Sequence, residues 1–372
     1  MNEQELRYNI GITLIKGIGN SLAKNLIAYL GSSEAVFKEK QHVLAKIPGI
    51  GEVLSREIVS QDVLKRADDE IAFILKNKIS YNFYTDREYP YRLKECADAP
   101  VMIYSKGNCN LNDGKMIAVV GTRNATENGR EYCKNLISDL ANAIPGASII
   151  SGLAYGIDIC AHKAAIDNNM KTIAVLGHGL DRIYPPTHRS TAVKILDSGA
   201  LVTEFLSKTN PDRQNFVSRN RIIAGLCDAI VVVESGVTGG ALITAELAVD
   251  YNRDVFAFPG RVDDEWSKGC NNLIKANKAA LIENAGDILK AMNWENETEI
   301  RQQGVQTSLF INLSETEQKI VTLLRRFADG IQLNEISIQL ELPVSKISAL
   351  LLEMEFKGLV KCLPGNLYKI VK

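Results

Sequence analysis

Few of the features that announce an enzyme or a membrane protein are present in this chain. No apolar run in its 372 residues approaches the roughly 18 needed to span a bilayer. The opening stretch, MNEQELRYNI, has no basic segment leading into an apolar one, so no secretory signal is expected. Seven cysteines are scattered, and the closest pair, Cys96 and Cys109, stands 13 positions apart. That spacing suits reduced thiols in a cytoplasmic protein better than a disulfide framework or a zinc site. The four histidines, His42, His162, His178 and His188, show neither metal-ligand spacing nor a pairing pattern with cysteine or serine. His162 lies in a helical run and reads as structural. His178 sits in a glycine turn, where a structural or ligand-contact role is expected.

Nucleotide-binding signatures are missing as well. The pattern G-x-x-x-x-G-K-[ST] does not occur, and G-x-G-x-x-G does not follow the first strand of the alternating region, where Arg123 stands instead. No cofactor, no metal and no catalytic residue is therefore expected. Surplus charge is also lacking. There are 43 basic against 44 acidic side chains overall, 11 against 10 over residues 1–78, and 8 against 7 over 312–372. If the chain binds nucleic acid, a local patch must do it.

What the sequence does hold is an ordered set of segments. Residues 1–78 contain a near-repeat, LIKGIGNSLAKNLI and LAKIPGIGEVLSREI, with Gly17 and Gly19 matched by Gly49 and Gly51. The pattern resembles the helix-hairpin-helix motif. Its glycines can bring free N–H groups close to a phosphate, or can serve only for tight packing. Residues 79–293 begin with strand-like ISYNFY and VMIYS. From Met116 on, the strand candidates MIAVV, ASII, TIAVL, ALVTE, AIVVV, VFAF and AALI alternate with helical stretches near 126–142, 155–168, 187–198, 216–227 and 240–251. Such alternation implies an α/β fold, a Rossmann-like parallel sheet covered on both faces. Ligand turns are then expected at the carboxyl ends of its strands. Residues 294–311 read as a polar linker. Residues 312–372 open on a Ser314/Glu317 capping box and read as three helices plus a hairpin around Pro364-Gly365-Asn366, a winged helix. Its recognition helix offers Lys346 and Lys357 against Glu353 and Glu355, so protein contact suits it at least as well as DNA contact.

The segment NFVSRNRIIAGL places Phe216, Arg219, Asn220 and Ile223 on one helical face, while Arg221 points elsewhere. A ring and a guanidinium beside amide-rich turns suit single-stranded nucleic acid, in which bases stack and phosphates pair. Equally, Phe216 could be core and the arginines solvated. An enzymatic alternative rests on GGALITAE, which looks somewhat like the turn of Rossmann-like nucleotide phosphoribohydrolases, with Glu246 as acid. A regulatory nucleotide sensor is a third possibility.

Seven blocks in order, VVGTRNAT, SGLAYGID, LGHGLDRIYPP, FVSRNRIIAGL, VVVESGVTGGALITAELA, VFAFPG and GCNNLI, closely resemble the DNA processing protein A (DprA, or Smf) family, and the resemblance extends over nearly the whole chain. It implies a cytoplasmic homodimer that binds single-stranded DNA and hands it to the recombinase RecA during natural transformation, without a cofactor. Carried over residue by residue, it implies DNA contacts from Gly121, Thr122, Arg123, Phe216, Arg219, Asn220 and Arg221. Gly152 and Gly240 would add backbone amides. Thr238-Gly239-Gly240 stands where the family often has S-G-S, so the polar contact of the missing serine is not carried over. The dimer contact is expected around Cys270 to Leu281.

Overall fold

In the computed structural model, six helices come first: α1 (Glu3–Leu14), α2 (Asn20–Leu30), α3 (Ser33–Lys38), α4 (Gln41–Leu44), α5 (Gly51–Ser60) and α6 (Leu64–Asn77). The structure describes residues 2–295, 314–325, 327, 330–356, 359–363 and 367–370. The two hairpins of the near-repeat pack reciprocally. A Cβ on Gly17 would meet Leu54 at 2.8 Å, and one on Gly49 would meet Leu22 at 3.0 Å. Both glycines have positive φ, 80° and 86°. Their absence of a side chain thus serves both the turn and the close approach of the other copy. Gly19 and Gly51 face open space.

Strand β1 (Ser80–Phe83), helix α7 (Tyr91–Lys94) and strand β2 (Met102–Gly107) follow. Next come β3 (Met116–Val120), α8 (Glu127–Ala143), β4 (Ser148–Ser151), α9 (Ile157–Asp167), β5 (Lys171–Val175), α10 (Arg189–Ser198) and β6 (Ala200–Thr203). The series ends with α11 (Arg213–Leu226), β7 (Ala229–Val232), α12 (Gly240–Asp250), β8 (Asp254–Ala257), α13 (Lys268–Lys275), β9 (Ala280–Leu281) and α14 (Ala285–Ala291). Among the described residues these strands form one sheet, in the order β1-β2-β6-β5-β4-β3-β7-β8-β9. β1, β2 and β6 pair antiparallel, and the rest from β6 to β9 pair parallel. The Rossmann-like expectation therefore holds, with every strand from ISYNFY to AALI in place.

The parallel strands are apolar on both sides because helices cover both faces. Ala118, Val120, Ile230 and Val232 point into one core with Ile222 and Ile223 of α11. Ile117, Val119 and Val231 point into the other with Leu136 and Leu140 of α8. The hairpin helices add a third core, in which Ile10, Leu26 and Ile71 pack with Met102 and Tyr104 of β2. Residues Met1–Glu295 accordingly form one compact unit.

The order of the parallel strands reverses between β3 and β7. β3 to β6 run outward in one direction and β7 to β9 in the other. At such a switch point the two βα turns diverge and leave a crevice above the strand ends.

The second unit, Asn296–Lys372, holds α15 (Glu315–Leu324), β10 (Ile331–Gln332), α16 (Leu333–Leu340), α17 (Val344–Phe356), β11 (Val360–Leu363) and β12 (Leu367–Ile370). Its small sheet has the order β10-β12-β11. Ser314 and Glu317 form the expected capping box at the start of α15. Three helices and this sheet make a winged helix. Leu352 and Phe356 of α17 are exposed, at 54% and 85%. Beyond residue 295 the expected linker lies outside the described residues, as do the turn at 364–366 and Lys357.

Candidate nucleic-acid interface

The switch-point crevice has a volume of about 600 Å³ and is walled by the turns after β3 and β7, the start of α12 and one face of α11. Each wall follows from local chemistry. A Cβ on Gly121 would stand 2.5 Å from the Ile157 side chain and 3.0 Å from the Glu234 carbonyl oxygen, so the first turn can pass only without one. Thr122 shapes that turn. Its N–H donates to Glu234 O at 2.8 Å, its carbonyl accepts from Ile157 N at 3.2 Å, and its hydroxyl accepts from Asn124 N at 3.1 Å. Arg123 then projects into solvent. Its guanidinium stands 5.8 Å from the centroid of the Phe216 ring, within cation–π range.

The helices that follow β3 and β7, α8 and α12, present their N-termini to this edge, and the two differ. At α8 the buried Glu234 carboxylate accepts from Thr126 N at 2.9 Å and from the Thr126 hydroxyl. That end of the helix is already supplied with a negative group. At α12 the N-cap is Gly239, and no side chain among the described residues caps it. The first N–H groups of a helix have no intrahelical partner. Those of Gly240 and Ala241, which line the crevice, suit an anion.

Asn220 and Arg219 brace the floor. Asn220 donates through Nδ2 to Gly240 O at 3.2 Å and accepts from Arg219 Nε at 3.2 Å. Arg219 is only 4% exposed, and its Nη1 donates to Gly152 O at 2.7 Å and to Val175 O. Burial pulls its pKa down to about 10, against the attraction of Asp158, so it stays cationic at neutral pH. Asp158 is pushed up by burial, while Arg219 and hydrogen bonds from Ala154, Ser151 and Gly152 oppose the shift.

The structure thus brings Gly121, Thr122, Arg123, Phe216, Arg219, Asn220 and Gly240 together around one crevice. Two expected contacts lie elsewhere. The Gly152 amide is turned to Asp158 rather than outward, and the lack of a side chain there makes room for Arg219, whose Nη1 a Cβ would meet at 2.2 Å. Arg221 is on the far face of α11, paired with Glu204 and donating to Asp98 O at 2.7 Å. Glu246, the acid of the enzymatic alternative, lies outside the crevice on an exposed face of α12, 3.0 Å from Lys278. His162 is buried and its Nδ1 lies 2.7 Å from the Thr172 hydroxyl.

Arg213 and Trp266 of the crevice, and Tyr184 beside it, were not expected from the sequence. Arg213 lines the wall because α11 begins three residues before the expected start at 216, after Pro211 and the extended N-cap Asp212. That Pro-Asp pair was the available signal. Trp266 reaches the crevice from the loop after β8. Tyr184, 44% exposed, places its ring 5.7 Å from that of Phe216. Neither Trp266 nor Tyr184 had a local signal.

Residues 80–293 match the model of the DNA recombination-mediator protein A family, and residues 311–366 match the DprA winged helix domain. The chain is 31% identical over 402 residues to protein Smf of Synechocystis, covering 99% of this chain and all of that one. It is 41% identical over 201 residues to DNA processing protein DprA of Streptococcus pneumoniae, covering 54% and 70% of the two chains. The solved structure of the Streptococcus pneumoniae protein superposes with a TM-score of 0.66 at 33% identity, over 76% of this chain and 97% of that one. A Helicobacter pylori DNA processing protein A, solved for its single-stranded DNA binding mode, superposes with a TM-score of 0.53 at 26% identity, over 59% and 97%. The switch-point sheet, the winged helix and these matches place the chain in the DNA recombination-mediator protein A family, the DprA/Smf proteins.

Proposed function

We propose that this protein binds single-stranded DNA in the switch-point crevice, protects incoming strands and passes them to the RecA recombinase during natural transformation. The observation that carries the reading is the pairing of Arg123 with Phe216 at 5.8 Å, beside the uncapped start of α12. A ring for a base, a free guanidinium for a phosphate and open amides for a second oxygen are what an unpaired strand requires. The Helicobacter pylori neighbour, studied with single-stranded DNA, supports the same ligand class. The description of the family as a recombination mediator supports the hand-over to RecA.

The protein acts in the cytoplasm without a cofactor and without turnover. It works as a homodimer through the free edge of the sheet, where β9 leaves Leu281 49% exposed. An unpaired edge strand is a natural surface for isologous pairing. Cys270, at the other end of the expected contact, is interior.

Fluorescence anisotropy with labelled (dT)20, set against a duplex of equal length, tests the binding step. Preference for the single strand is expected, and equal or absent binding refutes it. RecA filament growth on strands coated with single-strand-binding protein tests the hand-over, for which a shortened lag is expected. A base-release assay with nucleoside monophosphates, run with Glu246→Gln alongside, tests the absence of turnover.

A further inference from the structure

Phe216 is one aromatic on an edge that holds two more, each beside the crevice and each carried by a loop after a strand. Trp266 follows β8. Its N–H donates to Asp264 Oδ1 at 3.1 Å, its carbonyl accepts from Ser235 N at 2.7 Å, and Ser267 Oγ donates to the other oxygen of Asp264 at 2.7 Å. With the backbone held on both sides, the half-buried ring faces the crevice against Gly236, where a Cβ would lie 3.5 Å from it. Tyr184 follows β5, with its ring tilted 32° to that of Phe216 and nearly half exposed. In the sheet, β5 lies two strands to one side of β3, and β8 lies two to the other side. Four inter-strand steps separate them, about 19 Å at the usual spacing. The loops after these strands bring the two rings to the crevice from different sides, Tyr184 against Phe216 and Trp266 against Gly236.

Aromatic side chains beside a phosphate site offer a large stacking face for the loss of few rotatable bonds when a base stacks on them. We infer that Trp266 and Tyr184 are flanking base platforms, so that an unpaired strand crosses the switch point with bases stacked on both sides of the nucleotide held at Phe216. The inference rests on the proposed binding of single-stranded DNA and adds a path and a footprint to it. It also separates a continuous strand from a free mononucleotide, which could reach only one platform at a time.

The test uses the full chain carrying Trp294→Phe, which leaves Trp266 as its single tryptophan. Titration with (dT)20 should quench its emission, whereas an abasic strand of equal length should leave it unchanged. In the wild-type background, Trp266→Ala and Tyr184→Ala should each weaken (dT)20 binding about 5- to 150-fold. Tyr184→Phe should bind like wild type, which distinguishes stacking from loss of the hydroxyl or of the fold. If Phe216→Ala weakens binding while Trp266→Ala and Tyr184→Ala do not, or if Trp266 is not quenched, the flanking platforms are refuted and the crevice reading survives. If the wild-type chain binds no (dT)20, both are refuted.

Discussion

Arg219 Nη1 donates to the carbonyl of Gly152 at 2.7 Å, in a contact so close that a methyl group on Gly152 would overlap the guanidinium. Gly152→Ala should therefore displace Arg219 and the Asn220 it holds. Overpacking of this kind costs roughly 1–3 kcal/mol. Urea unfolding should show that loss, and DNA binding should weaken with it. A variant as stable as wild type would mean that Arg219 has another resting place.

Phe216→Ala should reduce affinity for (dT)20 by about 5- to 150-fold, since a stacked base is worth about 1–3 kcal/mol. Phe216 also packs on the turn at Gly177, where a Cβ would meet its ring at 2.8 Å. A melting curve must accompany the binding curve. Unchanged affinity in a folded variant removes the ring from the site.

Three guanidinium groups, Arg123, Arg213 and Arg219, line the crevice. At about −0.7 per phosphate neutralised, the slope of log affinity against log salt should be near −2. Arg213→Ala should make it shallower by about 0.7. A slope of zero would mean that phosphates are not gripped.

Arg221→Ala should behave in the opposite way. Its partner Glu204 is mostly buried, and burial already pushes the Glu204 pKa up. Removing the arginine leaves that carboxylate without its cation, at a cost on the order of 3 kcal/mol. The salt slope should not move. A shallower slope would return Arg221 to the DNA site.

Burial depresses the pKa of His162 from 6.5 to about 3. In the unfolded chain it binds a proton near pH 6.5, whereas in the fold it does not. Its contribution to stability is present above pH 6.5 and is lost as pH falls toward 3, by up to about 1.4 kcal/mol per pH unit. Unfolding curves between pH 7 and pH 5 should show the decline, and His162→Gln should flatten it. If the two proteins share one pH profile, another group is responsible.

The sequence made the sheet legible because apolar runs of strand length, spaced by helices, leave little choice of architecture. It also showed that Arg221 points away from Arg219, a consequence of helical geometry at a separation of two. What it could not show was distance across the fold. The family resemblance implied an amide donor at Gly152. The reason for this glycine was the bulk of a side chain 67 positions away. Tyr184 and Trp266 lie in loops with no period to read, and only the folding of β5 and β8 brings them to one edge.

The leucine and glycine contacts of the N-terminal helices set a limit on that module. Leu22 covers Gly49 and Leu54 covers Gly17, so each hairpin is the lid of the other. A mutual contact of this type closes on itself, unlike the head-to-tail stacking from which solenoids grow. The two copies therefore form a closed pair, in which each glycine turn is already covered by the leucine of the other.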